Sequence, residues 1–275
     1  MDATRPYDIV AVKNARIAQQ DSVAVEEPLE VWIKLFHSGQ QAHVQHLMTT
    51  MRTPGNDLEL VRGWLHAINL IDDEQIHSIR FSGVDTLKGQ TSNKVVVTLL
   101  PGINLDISKL QRSQYASSSC GVCGQQSIEW MLDDLPTVQS NQRIHLALDK
   151  LSSLSLKLSM HQPGFTATGG MHGVALIDQS ANIASVFEDV GRHNAMDKLV
   201  GANLAILPGK YAVLLSGRVS FEMVQKAARA GISMIIAIGA PTSLAVDLCK
   251  AIDIALIGFL KHNQLNIYHG DAQFV

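Results

Sequence analysis

The chain is poor in cysteine, in net charge and in long apolar runs, and each shortage excludes something. Three cysteines in 275 residues do not make a disulfide framework. A net charge of −3 gives no general nucleic-acid surface, so no nucleic-acid partner is expected. The strongest apolar runs, Ile232–Ile238 and Ile254–Leu260, are far shorter than the ~20 residues a membrane helix needs, so no membrane partner is expected either. The opening Met1-Asp2-Ala3-Thr4-Arg5-Pro6 lacks a basic start followed by an apolar block, so no secretion signal is expected. A cytoplasmic protein is the expectation, and there a Cys-x-x-Cys pair stays reduced and serves chemistry more often than structure. Repeats and low-complexity stretches are also missing. What remains is a globular composition, 46% hydrophobic and 17% charged, with enough chain for one large or two modest domains.

Periodicity divides the chain into four parts. Residues 1–22 are polar and read as an irregular, flexible segment. Residues 23–110 read as a small α+β domain. Its strands are Val23–Val25, Leu29–Leu35, Ile76–Phe81 and Lys94–Leu99, with Glu26-Glu27-Pro28 as a turn. Its helix starts at Asn56, with Glu59 in capping-box position and Leu58, Val61, Leu65 and Ile68 as the apolar stripe. Residues 111–140 read as a linker. Residues 141–275 begin with a helix over Gln142–Leu156 and then alternate strand and helix. The strands are Gly173–Ile177, Ile183–Phe187, Tyr211–Leu215, Met234–Ile238 and Ile254–Phe259; the helices are His193–Ala205, Phe221–Ala230 and Ser243–Ile252. Gly201 and Gly231 suit helix C-terminal positions. The strands after Tyr211 are almost wholly apolar, as strands covered on both faces are. The expected fold is α/β, a mostly parallel sheet in an α/β/α sandwich, with a smaller N-terminal α+β domain.

The linker carries Ser117-Ser118-Ser119-Cys120-Gly121-Val122-Cys123-Gly124. Nothing there builds a core, and glycine and serine let a large partner approach the backbone closely. An accessible thiol is the reactive kind. Cys249, in an apolar helical pattern, reads instead as a small buried hydrophobe. Three chemistries compete for the pair. Structural zinc needs four ligands, and neither the remaining cysteine nor any histidine pair of finger spacing completes a set, so no metal is expected. A thioredoxin-like pair belongs at a strand–helix junction, whereas this one lies between two units. A thiolate that accepts and passes on a group such as sulfane sulfur needs exposure on a loop of this composition. A zinc deaminase is a poor match: no proline precedes Cys120, and no glutamate stands two residues after His172.

Ligands of open α/β sheets bind at strand C-terminal ends. Three junctions fall there, Asp189-Val190-Gly191-Arg192, Ser216-Gly217-Arg218 and Gly239-Ala240-Pro241-Thr242. Two place an arginine just before a helix N-terminus, where anions are attracted and a guanidinium grips phosphate with two parallel bonds. Lys261 follows the last of the alternating strands. A cleft for a phosphorylated ligand is the expectation. The plain alternatives are that Arg192 pairs with Glu188 or Asp189, that Arg218 caps a neighbouring helix, and that His193 is an exposed or capping histidine. His172, after Thr168-Gly169-Gly170-Met171, is expected to face the cleft.

Several of these motifs together resemble the FdhD family of sulfur carriers required for formate dehydrogenase activity. They are Cys120-Gly121-Val122-Cys123-Gly124, Thr168-Gly169-Gly170-Met171-His172, the stretch from Glu188 to Lys198, the stretch from Ser216 to Lys226, Ala240-Pro241-Thr242-Ser243-Leu244-Ala245, Glu27-Pro28-Leu29 and Met51-Arg52-Thr53-Pro54-Gly55. The resemblance implies a cytidine-deaminase-like α/β domain and a homodimer. It implies sulfur taken from a cysteine desulfurase as a persulfide on Cys120, with Cys123 supporting. It implies delivery to a molybdenum (or tungsten) bis-molybdopterin guanine dinucleotide cofactor, held as substrate before insertion into the formate dehydrogenase apoenzyme. The family's cofactor-contacting segment maps onto Phe259, Leu260, Lys261, His262, Asn263 and Gln264, and Arg192, Arg218, His172 and His193 would join it. Here the chain departs from the family, because Gln264 stands where a second cation is usual. A non-catalytic cofactor-binding module and a Cys-x-x-Cys thiol–disulfide oxidoreductase are the alternatives.

Overall fold

The computed structural model describes residues 2–12, 16–36, 42–85, 90–91, 93–103, 105, 135–137, 143–207, 210–262 and 264–274. The readings placed on Cys120 and Cys123, and on Asn263, lie outside these residues. In the first half the elements are β1 (Thr4–Val12), β2 (Arg16–Ala24), β3 (Glu27–Leu35), β4 (His43–Arg52), α1 (Asp57–Ala67), β5 (Ile76–Phe81), β6 (Val84–Asp85), β7 (Gln90–Thr91) and β8 (Lys94–Leu99). Four of these strands form one sheet in the order β4-β3-β8-β5, with β3 and β8 parallel. Strict alternation in β3 buries Leu29, Val31, Ile33 and Leu35 on one face. Helix α1 covers that face with Leu60, Val61 and Leu65.

The second half contains α2 (Leu148–Leu151), α3 (Leu154–Met160), α4 (Pro163–Thr168), β9 (His172–Ile177), β10 (Ile183–Asp189), α5 (Arg192–Asn203), β11 (Ala212–Leu215), α6 (Phe221–Arg229), β12 (Met234–Ala237), α7 (Ser243–Ile252), β13 (Ala255–Lys261) and β14 (Gln264–His269). The sheet order is β10-β9-β11-β12-β13-β14. Its two faces carry separate cores. Val174, Leu176, Val213, Leu215 and Ile235 pack against α5, α6 and α7. Ala175, Ile177, Leu214 and Ile236 pack against Leu151, Leu154 and Leu158 of α2 and α3. The architecture is therefore mixed α/β, with helices on both faces of one sheet.

Several expectations need correction. The sheet is not mostly parallel: only β11–β12 and β12–β13 run parallel, while β9, β10 and β14 pair antiparallel with their neighbours. Uniformly apolar strands report burial on both faces, not direction. Residues 1–22 are not irregular, since β1 and β2 pair from Thr4↔Ala24 to Val12↔Arg16. Val23 belongs to that hairpin, and the turn before β3 shrinks to Val25-Glu26. The helix read over Gln142–Leu156 breaks into α2 and α3, and residues 143–147 lie outside both. Asn56 has φ 54°, left-handed where a capping residue is normally extended, and makes no side-chain cap bond. The stripe on α1 includes Leu60, whereas Leu58 and Ile68 are only half-buried.

Gly231 does end α6, with φ 68° and its N–H on the Ala228 carbonyl. Gly201 ends nothing. It lies inside α5, where a Cβ would stand 1.9 Å from the Glu59 carbonyl oxygen of α1. Gly63 of α1 is its counterpart, 1.9 Å from the Asp197 carbonyl oxygen of α5. The two halves of the chain thus meet backbone to backbone through this helix pair.

Candidate functional site at the strand ends

Antiparallel pairing brings the expected junctions to one edge of the large sheet. Strand β9 runs against β11, so His172 at its start lies level with the end of β11. Strand β10 runs against β9, so Asp189 pairs directly with His172. The ends of β12 and β13 arrive at the same edge by parallel pairing. Backbone approaches confirm the convergence. A Cβ on Gly217 would stand 3.2 Å from His172 Nδ1, and one on Gly239 would stand 2.5 Å from the Gly217 carbonyl oxygen. A Cβ on Gly258 would meet Pro241 Cδ at 2.8 Å. Thr242 N–H donates to the Val219 carbonyl at 2.9 Å, tying the turn after β11 to the turn after β12.

The turn from β10 into α5 rests on a buried ion pair. Asp189 is fully buried, and its Oδ2 lies 2.8 Å from Lys198 Nζ. Its Oδ1 accepts from the Gly191 N–H at 2.9 Å and from Asn194 Nδ2 at 3.2 Å. Lys198 Nζ also donates to the carbonyls of Thr53 and Glu188. The first half of the chain supplies much of this lattice. Thr53 N–H donates to Asp189 Oδ2 at 3.2 Å, Val190 N–H donates to Thr53 Oγ1 at 3.2 Å, and Asn194 Nδ2 donates to the Met51 carbonyl at 2.7 Å. Arg52 is fully buried and bidentate on Asp57. Burying such charges is tolerable only when their hydrogen bonds are satisfied, as they are here. Sequence patterns missed this role: Met51-Arg52-Thr53-Pro54 is a hook from the small sheet onto the large one, and only its unusual arginine–proline composition stands out in the chain.

That lattice aims Arg192 and His193 at the edge from the first turn of α5. Arg192 is half-buried, and its Nε has no hydrogen-bond partner among the described residues. It pairs with neither Glu188 nor Asp189. Glu188 accepts instead from the N–H groups of Gly164 and Phe165 at the start of α4. Arg218 is exposed, and no hydrogen bond or ion pair ties it to another described residue. His193 Nδ1 lies 3.0 Å from Glu222 Oε2 in the first turn of α6. Burial works against the charge of Glu222, but His193, Lys226 and Arg192 outweigh it and hold the carboxyl below its usual range. Burial likewise pushes Asp197 up, against the opposing pull of its partner Lys226. His172 is held below its ordinary value, first by burial and then by Arg192, so it is neutral at pH 7.

The segment after β13 divides by role. Phe259 adopts φ 56°, rare for an aromatic residue, with its side chain 38% exposed and its N–H on the Gly239 carbonyl at 3.1 Å. Leu260 is fully buried in the core beneath α2 and α3, so its side chain packs and does not face the edge. Lys261, His262 and Gln264 are exposed, with Lys261 and Gln264 opposite each other in the β13–β14 pairing. The described edge therefore brings together His172, Arg192, His193, Arg218 and Phe259, and Lys261 ends the strand β13 that arrives there. Two arginines at the starts of two helices, with a lysine and exposed backbone turns, suit an oxyanion such as a phosphate. Among the described residues, no group of three or more histidine, cysteine or acidic side chains forms a metal-binding cluster. Cys249 is buried in the core between the sheet and α7, its thiol pushed up to about 12 by desolvation, as a structural cysteine's is. No helix among the described residues is long and apolar enough to cross a membrane.

Comparison with known proteins gives the family. The model of the FdhD/NarQ family matches residues 24–275. The chain is 37% identical to the sulfur carrier protein FdhD of Streptomyces avermitilis, covering 98% of this chain and 94% of that one. It is 40% identical to the sulfur carrier protein FdhD of Sulfurisphaera tokodaii, over 91% of this chain and 90% of that one. A solved structure described as a formate dehydrogenase accessory protein, from Desulfotalea psychrophila, superposes with a TM-score of 0.73 over the full length of both chains at 21% identity, and so shares the fold. By its matched length, its motifs and its fold, this chain belongs to the FdhD/NarQ family.

Proposed function

We propose that this chain is a cytoplasmic sulfurtransferase that loads sulfur on Cys120 and delivers it to a guanine-dinucleotide cofactor at the strand-end edge. The donor is a cysteine desulfurase. The acceptor is a molybdenum or tungsten bis-molybdopterin guanine dinucleotide, bound as substrate before it enters a formate dehydrogenase. Family membership supports the sulfur chemistry, since the curated relatives are named sulfur carriers. The observation that carries the cofactor reading is the Arg192 Nε, without a partner among the described residues, with the exposed Arg218 in the turn before α6 at the same sheet edge. The cofactor's pyrophosphates need anion sites of that kind. Central parallel strands with helices on both faces support a cytidine-deaminase-like core, and a homodimer would offer two such edges to a cofactor with two pterin–guanine halves.

The loading step is redox-neutral. The Cys120 thiolate attacks the outer sulfur of the donor persulfide; a new S–S bond forms as the old one breaks, and the donor leaves as a thiolate. In delivery an electron pair of the acceptor attacks the outer sulfur of the Cys120 persulfide; the acceptor–sulfur bond forms as the S–S bond breaks, the acceptor supplies the two electrons, and Cys120 departs as thiolate, ready to reload. The Cys123 thiol stands three positions further along the chain and assists or protects that thiolate. Arg192, Arg218 and Lys261 neutralise phosphate charge, and neutral His172 offers a hydrogen bond without adding charge. Exposed Phe259 offers a face on which a planar ring can stack.

The test of the edge uses GDP as a stand-in for one cofactor half. Calorimetry should show GDP binding to the wild type and at least a tenfold weaker affinity in the Arg192→Ala/Arg218→Ala double variant, because each phosphate–guanidinium contact is worth about 1.5–3 kcal/mol. Equal affinity in the two proteins would remove the edge from the function.

A further inference from the structure

Strands β1 and β2 form a two-stranded ribbon that joins neither larger sheet. It packs on α4, and a Cβ on Gly170, just past that helix, would stand 3.5 Å from Ala24 Cβ. Tyr7, Val10, Val12, Ile17 and Val23 are left 45% to 71% exposed. A two-stranded hairpin by itself is marginally stable in water; three or more strands are needed. The two outer edges of this ribbon differ. Val25 N–H donates to the Ala3 carbonyl at 2.9 Å, in the same register as the Thr4↔Ala24 pairing, so the odd-numbered residues bond across the ribbon. The even-numbered residues turn their N–H and C=O groups outward. On β1 that row includes Pro6, which has no N–H to give, and an outward proline blunts an edge. On β2 the row is Arg16, Ala18, Gln20, Ser22 and Ala24, with no proline and a charge only at its end. There the Ser22 N–H is met by the side chain of its own neighbour, Asp21, at 2.9 Å.

We propose that the open β2 edge pairs antiparallel with the same edge of a second copy of this chain, making a four-stranded sheet about a two-fold axis at Gln20. A two-fold interface requires a self-complementary surface, and this edge is one. With Gln20 opposite itself, Ala18 bonds Ser22 of the partner subunit and Arg16 bonds Ala24 of the partner subunit, all on the outward row. The Ser22 N–H then passes from Asp21 to the carbonyl of the partner's Ala18. On the face between these bonds, half-exposed Ile17 lies opposite the partner's Val23, and Gln19 lies opposite the partner's Asp21, each contact made twice. Moving the axis one residue sets Ile17 against Asp21 in one direction and Asp21 against itself in the other, so the sequence selects this register. Pairing covers the apolar residues and fills the bare edge in one step. The inference rests on the homodimer of the proposed function and assigns it a surface.

The experiment is sedimentation of the full chain over a series of concentrations, in wild type, Ala18→Pro and Val10→Pro. Both positions lie on outward rows, so proline at either keeps the β1–β2 bonds and deletes one outward N–H. The wild type should dimerise and Val10→Pro should match it. Ala18→Pro should associate about tenfold more weakly, because two edge bonds are lost by symmetry. A monomeric wild type overturns the homodimer and this inference with it. A dimeric wild type matched by Ala18→Pro overturns the inference alone, and so does a dimer lost equally in both variants. Should Ala18→Pro not fold, the double variant Ile17→Cys/Val23→Cys decides. Opposed residues of a non-bonded antiparallel pair have Cα atoms about 4.5 Å apart, within disulfide reach. Mild oxidation by dioxygen should then join position 17 of one copy to position 23 of the other, read as a linked peptide by mass spectrometry after digestion. A protein that yields no such peptide overturns the pairing.

Discussion

At the scale of single residues, the site is defined by which charges are spent and which are left over. Asp189 and Lys198 neutralise each other inside the fold, while Arg192 and Arg218 stay unpaired among the described residues. His172 reports this imbalance. Burial and then Arg192 hold it below its ordinary value, so the unfolded chain binds its proton more readily than the fold does. The sign follows from linkage: stability rises with pH across the interval between the lowered native value and the unfolded 6.5. As pH falls below about 6.5, His172 therefore works against folding. His172→Gln removes that proton difference. Urea titrations at a series of pH values from 5 to 7.5 should show a shallower loss of stability on the acid side in the variant. Parallel curves for wild type and variant would mean that His172 is not held neutral by this edge. The Phe259 backbone at φ 56° belongs to the same scale: a strained, exposed aromatic persists only where the surroundings enforce it, as the Gly239 bond does here.

At the scale of elements, the α1–α5 contact decides how the two sheets are joined. An exposed helical Gly→Ala change normally stabilises by about 0.5–1 kcal/mol. At Gly201 the new methyl would lie 1.9 Å from a backbone oxygen of α1, so the clash wins. Overpacking of this kind costs about 1–3 kcal/mol. Gly201→Ala should lower the unfolding free energy from urea titration by that amount, and an unchanged or raised value would contradict the helix contact. Much of the second half was legible in the chain. Helices α6 and α7 and strands β11, β12 and β13 fall within two residues of the expected bounds, because short apolar blocks between amphipathic helices leave little choice. What was not legible depends on partners distant in sequence. Gln19-Gln20-Asp21 hide the β1–β2 hairpin, since a two-stranded ribbon with both faces exposed needs no apolar alternation. Antiparallel β9 carries the same apolar signal as its parallel neighbours, so direction cannot be read from it. Gly201 looked like a helix end because a glycine's packing partner, here the Glu59 carbonyl, is not written beside it.

At the scale of the whole molecule, the two halves build one site. Strand β4 ends in a hook whose Met51 carbonyl and Thr53 groups hold the turn that presents Arg192 and His193. The meeting of the glycine–arginine junctions at one sheet edge was readable from their places after strands, but the support from the small sheet was not, because hydrogen bonds spanning more than 130 residues leave no local pattern. Segment 259–264 was read as one binding strip, whereas strand alternation and the bulge in β13 send Leu260 into the core and leave Phe259, Lys261, His262 and Gln264 exposed. Cys120 and Cys123, which carry the proposed chemistry, lie outside the described residues, so their test is chemical. Intact-protein mass spectrometry after incubation with a cysteine desulfurase and cysteine measures it directly. The account predicts a gain of about one sulfur atom, ~32 Da, on the wild type, lost on reduction and absent in Cys120→Ala. A wild type that gains no sulfur from a competent donor, or a Cys120→Ala variant that gains as much, would contradict it.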